Sequence, residues 1–75
     1  MMSFCLFTRA NCHLCELAET VLQEAEITAE QVPIDEVPAL ENQYGSVIPV
    51  LVDMRNSRQL SWPFDAWDVR QFVQR

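Results

Sequence analysis

The sequence predicts an α/β domain in which a four-stranded mixed sheet is flanked by three helices, in the chain order strand, helix, strand, helix, strand, strand, helix. Three observations predict it. Short apolar or β-branched runs alternate with segments of helical periodicity. A Cys-X-X-Cys pair, Cys12-His13-Leu14-Cys15, lies where the first strand gives way to the first helix. The chain also has a single glycine, and no linker, repeat or low-complexity tract, so its 75 residues show no internal boundary. We therefore expect one domain over 1–75, burying only about 60% of the surface its unfolded chain exposes.

Phe4-Cys5-Leu6-Phe7 is long enough for a buried strand and too short for a helix. From Leu14 onward the apolar residues fall at Leu14, Leu17, Ala18, Val21, Leu22 and Ala25, the spacing of one helical face. Ile27 to Ile34 contains Thr28, Val32 and Ile34 and reads as a modest second strand, at an edge because of Pro33. Asp35-Glu36-Val37-Pro38 starts a helix, with proline suited to the first turn. Val37, Leu40 and Tyr44 share its face, and Gly45 supplies the stop. Val47-Ile48-Pro49-Val50-Leu51-Val52 is the best strand in the chain. The polar turn from Asp53 to Arg58 and the short run Gln59-Leu60-Ser61 complete a hairpin. Asp65 then caps a last helix, with Asp68 three residues on and Val69, Phe72 and Val73 facing inward. The first two strands should be parallel with a right-handed crossover, and the last two antiparallel.

Charge and hydropathy exclude several function classes. Eleven Asp and Glu oppose five arginines with no lysine, a net charge of −6 that disfavours nucleic acid and anionic membrane surfaces as partners. Most of these carboxylates are expected on a solvated face, Glu16, Glu19, Glu24 and Glu26 among them. No apolar run approaches the roughly twenty residues of a membrane span, and the N-terminal one ends at Thr8-Arg9, far short of a signal-peptide h-region. The expectation is a monomer in the cytoplasm, where an isolated CxxC is more plausibly catalytic than structural.

Cys12 and Cys15 carry the chemistry. Helical i, i+3 neighbours stand about 5–6 Å apart at Cβ, close enough to bridge after modest adjustment. A thiolate at a helix N-terminus faces free N–H groups and the positive end of the helix dipole. Glu16 and Glu19 oppose that thiolate, whereas Arg9 and the imidazolium form of His13 favour it. Three other readings compete. As a structural staple the pair closes a very short loop, contributing roughly 2 kcal/mol against about 3 for a fifteen-residue loop. As a zinc site it lacks a second ligand pair, and adjacent Cys12 and His13 diverge on a helix. As plain buried hydrophobes the thiols would do nothing, which is the expected lot of Cys5. A CxxC beside a βαβ pattern nonetheless reads as a thioredoxin-like redox motif.

Taken in order, Leu6-Phe7-Thr8-Arg9 before Cys12-His13-Leu14-Cys15, then Val47-Ile48-Pro49-Val50, then Leu60 through Asp65, resemble the glutaredoxin-like branch of the thioredoxin superfamily. Cys-His-Leu-Cys followed by Trp62-Pro63-Phe64-Asp65 is similar, more narrowly, to small bacterial glutaredoxin-like proteins. The resemblance covers essentially the whole chain. It implies a thioredoxin-like βαβαββα fold, with Cys12 as the exposed nucleophile and Cys15 as the partly buried resolving thiol. Pro49 would be a cis-proline facing the disulfide, turning the chain so that the backbone of Ile48 pairs with an extended substrate; the residue-level alternative is a proline at the start of an edge strand. Arg9 sits where glutaredoxins commonly carry a lysine that helps hold glutathione's carboxylate, and Asp65 keeps a place in the binding loop. The sequence departs from the family in that loop. Ser61-Trp62-Pro63-Phe64 replaces the usual Gly-Gly, so glutathione is expected to bind weakly as a co-substrate.

These readings converge on a small dithiol–disulfide oxidoreductase acting on a disulfide-containing protein or a small thiol. Its catalytic residues would be Cys12 and Cys15, and its substrate contacts Arg9, His13, Ile48, Pro49 and Asp65, with no resident metal or cofactor. Two alternatives come from other classes: an iron–sulfur or Cu(I) carrier using the same thiols, and a non-catalytic thioredoxin-fold interaction module.

Overall fold

A computed structural model describes residues 3–74. Its elements are β1 (Phe4–Thr8), α1 (His13–Glu24), β2 (Glu30–Pro33), α2 (Pro38–Tyr44), β3 (Val50–Asp53), β4 (Arg58–Ser61) and α3 (Ala66–Val73). The strands form one sheet in the order β2-β1-β3-β4, with β1 and β2 parallel and the β1–β3 and β3–β4 pairs antiparallel. The expected element order, pairing directions and mixed four-stranded sheet are all present.

The central strands are apolar except at their ends, Thr8 and Asp53, because both faces of the sheet are covered. Along β1 and β3, successive side chains alternate between the two faces, and the register sets Leu6 opposite Leu51, Phe7 opposite Val50 and Cys5 opposite Val52. Leu6 and Leu51 point into a core built with Ala18, Leu22 and Ala25 of α1 and its C-terminal cap, and Val69 and Phe72 of α3. Phe7, Val50 and Val52 point the other way, toward Ile34 and Tyr44. The Tyr44 ring stacks on Phe7 with centroids 4.5 Å apart, which fastens α2 to that face.

Several boundaries and environments differ from the sequence reading. β2 begins at Glu30 rather than Ile27, because α1 ends in a Schellman turn that occupies the intervening residues. The Ile27 N–H donates to the Leu22 carbonyl and the Glu26 N–H to the Gln23 carbonyl, with Glu26 itself left-handed at φ 59°. β3 begins at Val50, where the ladder with β1 ends. Leu14 and Leu17 are 46% and 41% exposed, so the buried face of α1 runs through Cys15, Ala18 and Leu22. Val37 is likewise exposed. Gly45 stays right-handed at φ −57°; what requires glycine there is space, because a Cβ would come within 2.5 Å of the Glu41 carbonyl oxygen.

Asp53 is the largest departure. The hairpin is polar, yet this carboxylate is fully buried at the end of β3. It accepts hydrogen bonds from the Arg55 backbone N–H and Nε, each at 3.0 Å, and from Nη2 at 2.9 Å. The Arg55 hydrogen bonds hold its carboxyl below the ordinary carboxylate range, outweighing the opposing effect of burial. Arg55 and Arg58 lie over the Phe4 and Phe72 rings, which draws both arginines to the hairpin end of the sheet. Among the described residues no helix is long and apolar enough to cross a membrane.

Candidate functional site

The site forms where β1 releases the chain toward α1. Thr8 is the last strand residue, and Asn11 turns the chain with φ 57°, a left-handed conformation that asparagine tolerates better than most residues. Cys12 follows as the N-cap of α1, and its Sγ accepts a hydrogen bond from the Cys15 N–H at 3.1 Å. The sulfur thus takes the place that a Ser or Asp oxygen usually holds, satisfying one of the free donors of the first turn. Cys12 and Cys15 are joined by a disulfide with Cα atoms 5.2 Å apart, within the usual range. Their environments differ sharply. Cys12 is half-buried, whereas Cys15 is only 3% exposed because it lies on the core-facing side of α1.

A cleft of about 370 Å³ opens beside the disulfide. Arg9 and Asn11 line it from the β1–α1 loop, both cysteines together with Glu16 and Glu19 from α1, and Gln31 from β2. The Gln31 amide donates to Glu19 at 2.7 Å, linking the helix to the edge strand. Arg9 turns toward α2, where it pairs with Glu41 and reaches the Gly45 carbonyl at 3.4 Å. A cation suits that position, because the last carbonyls of a helix carry partial negative charge.

The remaining expected site residues are distributed as follows. His13 is the first residue of α1, exposed and outside the cleft lining. Pro49 is buried, and the antiparallel register of β3 brings it to the end of β1 from which the cysteine loop departs. The cis Ile48–Pro49 bond agrees with the expectation from sequence. The Pro49 carbonyl accepts from the Trp62 N–H at 3.0 Å, so the loop preceding α3 is tied to the same strand end. Trp62 and Phe64 meet edge to face at 5.0 Å, with Phe64 in the core and Trp62 packed against it. The Trp62–Pro63 bond is also cis, a feature the sequence did not signal. Asp65 is committed to α3: it accepts from the Asp68 N–H at 2.8 Å, and the Asp68 carboxylate accepts from the Asp65 N–H at 3.0 Å.

Cys5 packs among apolar neighbours on the α2 side, where burial first and Glu30 second push its thiol up, away from reactivity at neutral pH. Glu41 and Gln31 were not anticipated as site residues. Glu41 is 32 positions from Arg9 in sequence, and only the packing of α2 on the sheet joins them.

No curated protein matches the sequence. Two solved structures of one X. campestris protein, the Northeast Structural Genomics target XcR50, are similar to it. The X-ray structure is 42% identical, covers 95% of both chains and superposes with a TM-score of 0.87. The solution structure is 40% identical, covers 97% of this chain and 94% of that one, and superposes with a TM-score of 0.86. The Glutaredoxin-like domain family (DUF836) matches residues 4–74. Because that match takes in β1 through α3, and with them the bridged cysteines and the cis-proline strand, the chain belongs to the Glutaredoxin-like domain family.

Proposed function

We propose that the protein is a dithiol–disulfide oxidoreductase that uses Cys12 and Cys15 as its redox couple. The observation that carries this reading is the asymmetry of a bridged pair. Cys12 lines a cleft, half-buried, with its sulfur capping a helix N-terminus, and Cys15, which lines the same cleft, is only 3% exposed on the core-facing side of that helix. In the reduced protein, the Cys15 N–H and the helix dipole would stabilise a Cys12 thiolate. That thiolate attacks a substrate disulfide, forming a mixed disulfide and expelling the first substrate thiol. Cys15 then attacks Cys12, releasing the second thiol and closing the intramolecular bond. Two electrons pass to the substrate, one S–S bond breaks and one forms, and two thiols leave. A small thiol or a reductase system returns the couple to the dithiol. A reducing, cytoplasmic setting suits this cycle, since a lone CxxC there turns over rather than persisting as a staple. Ile48 and Pro49 would shape the substrate groove beside the couple.

The test is a redox titration of the Cys12–Cys15 pair read by mass spectrometry, together with Cys15→Ser. A reversible two-electron transition and accumulation of mixed disulfides through Cys12 are expected. Two results would count against the proposal: a pair that stays in one state across thiol buffers from glutathione to dithiothreitol, or a Cys15→Ser protein that traps no thiol partner.

A further inference from the structure

The cleft beside Cys12 has an unbalanced charge, and the imbalance is built from tertiary contacts. Glu16 and Glu19 face into it from α1. Among the described residues the only basic side chain that lines it is Arg9, and Arg9 is engaged by Glu41. Both members of that pair remain accessible, at 37% and 40% side-chain exposure, so the pair is open to solvent rather than sealed within the core, with Arg9 lining the cleft and Glu41 bound to it from α2. The other described arginines are held elsewhere. Arg55 binds Asp53, Arg58 lies over Phe72, and Arg70 donates to the Glu24 carbonyl at 3.1 Å. An anion approaching the disulfide therefore meets two carboxylates and a guanidinium whose charge is already offset. A cation meets the same carboxylates with attraction.

Resting on the disulfide-exchange reading above, we propose that the cleft selects cationic substrates, disulfides flanked by ammonium or guanidinium groups as in a Lys- or Arg-bearing peptide, and that Glu41 sets this preference by occupying Arg9. Glu41 acts as a specificity-determining residue without touching the sulfurs. It denies an incoming carboxylate the Arg9 guanidinium. Glu16 and Glu19 supply the attraction directly, Glu19 being oriented by its hydrogen bond from Gln31.

The test measures oxidation of the reduced Cys12–Cys15 pair by three small disulfides at low salt: dicationic cystamine, neutral bis(2-hydroxyethyl) disulfide and anionic glutathione disulfide. Each rate is divided by the rate of the same disulfide with dithiothreitol, which removes intrinsic reactivity. We expect cystamine to exceed the neutral compound and glutathione disulfide to fall below it, by roughly two- to fourfold per interacting charge. The order should flatten in about 1 M salt, where the Debye length falls to about 3 Å. Glu41→Gln should raise the ratio of the glutathione disulfide rate to the neutral rate about threefold, and lower the ratio of the cystamine rate to the neutral rate. Paired Glu16→Gln and Glu19→Gln substitutions should lower the cystamine rate and raise the glutathione disulfide rate, each relative to the neutral disulfide. A flat or reversed charge order, or a Glu41→Gln effect equal for all three disulfides, overturns the inference while leaving disulfide exchange intact. Failure to react with the neutral disulfide would instead remove the exchange reading. The inference then stands or falls on NMR titration of the Cys12→Ser/Cys15→Ser protein. An Arg-Ser-Arg peptide should shift the Arg9, Glu16 and Glu19 amides more than a Glu-Ser-Glu peptide, and equal shifts would overturn it.

Discussion

Asp65 offers a test that separates a structural role from a binding role at the same carboxylate. In the structure it is the N-cap of α3, accepting from the Asp68 N–H at 2.8 Å, and Asp68 returns the contact to the Asp65 N–H. α3 has only eight residues and buries Val69 and Phe72, so its first turn depends on that cap. Removing an N-cap oxygen costs about 1 kcal/mol, and losing a negative charge at a helix N-terminus adds about 0.3–0.5 kcal/mol at an exposed position. Asp65→Ala should therefore lose about 1.3–1.5 kcal/mol. Native domains have about 0.05–0.15 kcal/mol of stability per residue, or roughly 4–11 kcal/mol for the 75 residues here, so the variant remains folded at 25 °C. At about 4–8 °C per kcal/mol, its Tm should fall by roughly 5–12 °C. Asp65→Ser restores the hydrogen bond without the charge and should recover most of the loss, melting within about 2–4 °C of the wild type. Thermal unfolding followed by far-UV circular dichroism measures all three proteins. Equal melting of Asp65→Ala and wild type, or of Asp65→Ser and Asp65→Ala, would refute the capping argument. If the Ser variant melts normally yet exchanges disulfides more slowly with every substrate, Asp65 also serves binding.

Limiting iodoacetamide on the folded, reduced protein should label Cys12 well before Cys15 or Cys5, because Cys12 is the half-buried N-cap of α1, whereas Cys15 is 3% exposed and burial pushes the Cys5 thiol up; equal rates would remove the ground for calling it the nucleophile. Asp53 should make the fold acid-sensitive. Its folded-state pKa is depressed, so its contribution is present above the ordinary carboxylate pKa of about 4 and is lost as pH falls through the lower folded value. Urea midpoints of the wild type should thus decline as pH falls below about 4, and Asp53→Asn should be less stable at neutral pH and show a shallower decline. An unchanged acid profile would mean that the Asp53–Arg55 contact contributes nothing to stability.

The sequence by itself carried the element order, the parallel and antiparallel pairings and the CxxC at a helix start. These follow from local signals: apolar runs too short for helices, the periodicity of α1, the proline opening α2, and the Asp65–Asp68 box. Such signals depend on neighbours within a few residues, which is why Asp65 was legible as a cap. Periodicity alone set the α1 face too wide. Leu14 and Leu17 match the helical stripe, but the sheet covers only the side that carries Cys15, Ala18 and Leu22. The turn from Asp53 to Arg58 likewise reads as polar, and only the burial of β3 within the sheet puts Asp53 out of solvent, where Arg55 pairs with it. The charge character of the cleft beside the cysteines belongs to the same class. Arg9 reads as a free cation three residues before Cys12, until α2 packs on the sheet and places Glu41 against it. Electrostatic partners 32 residues apart leave no periodic trace, because the contact exists only after the layers between them have packed.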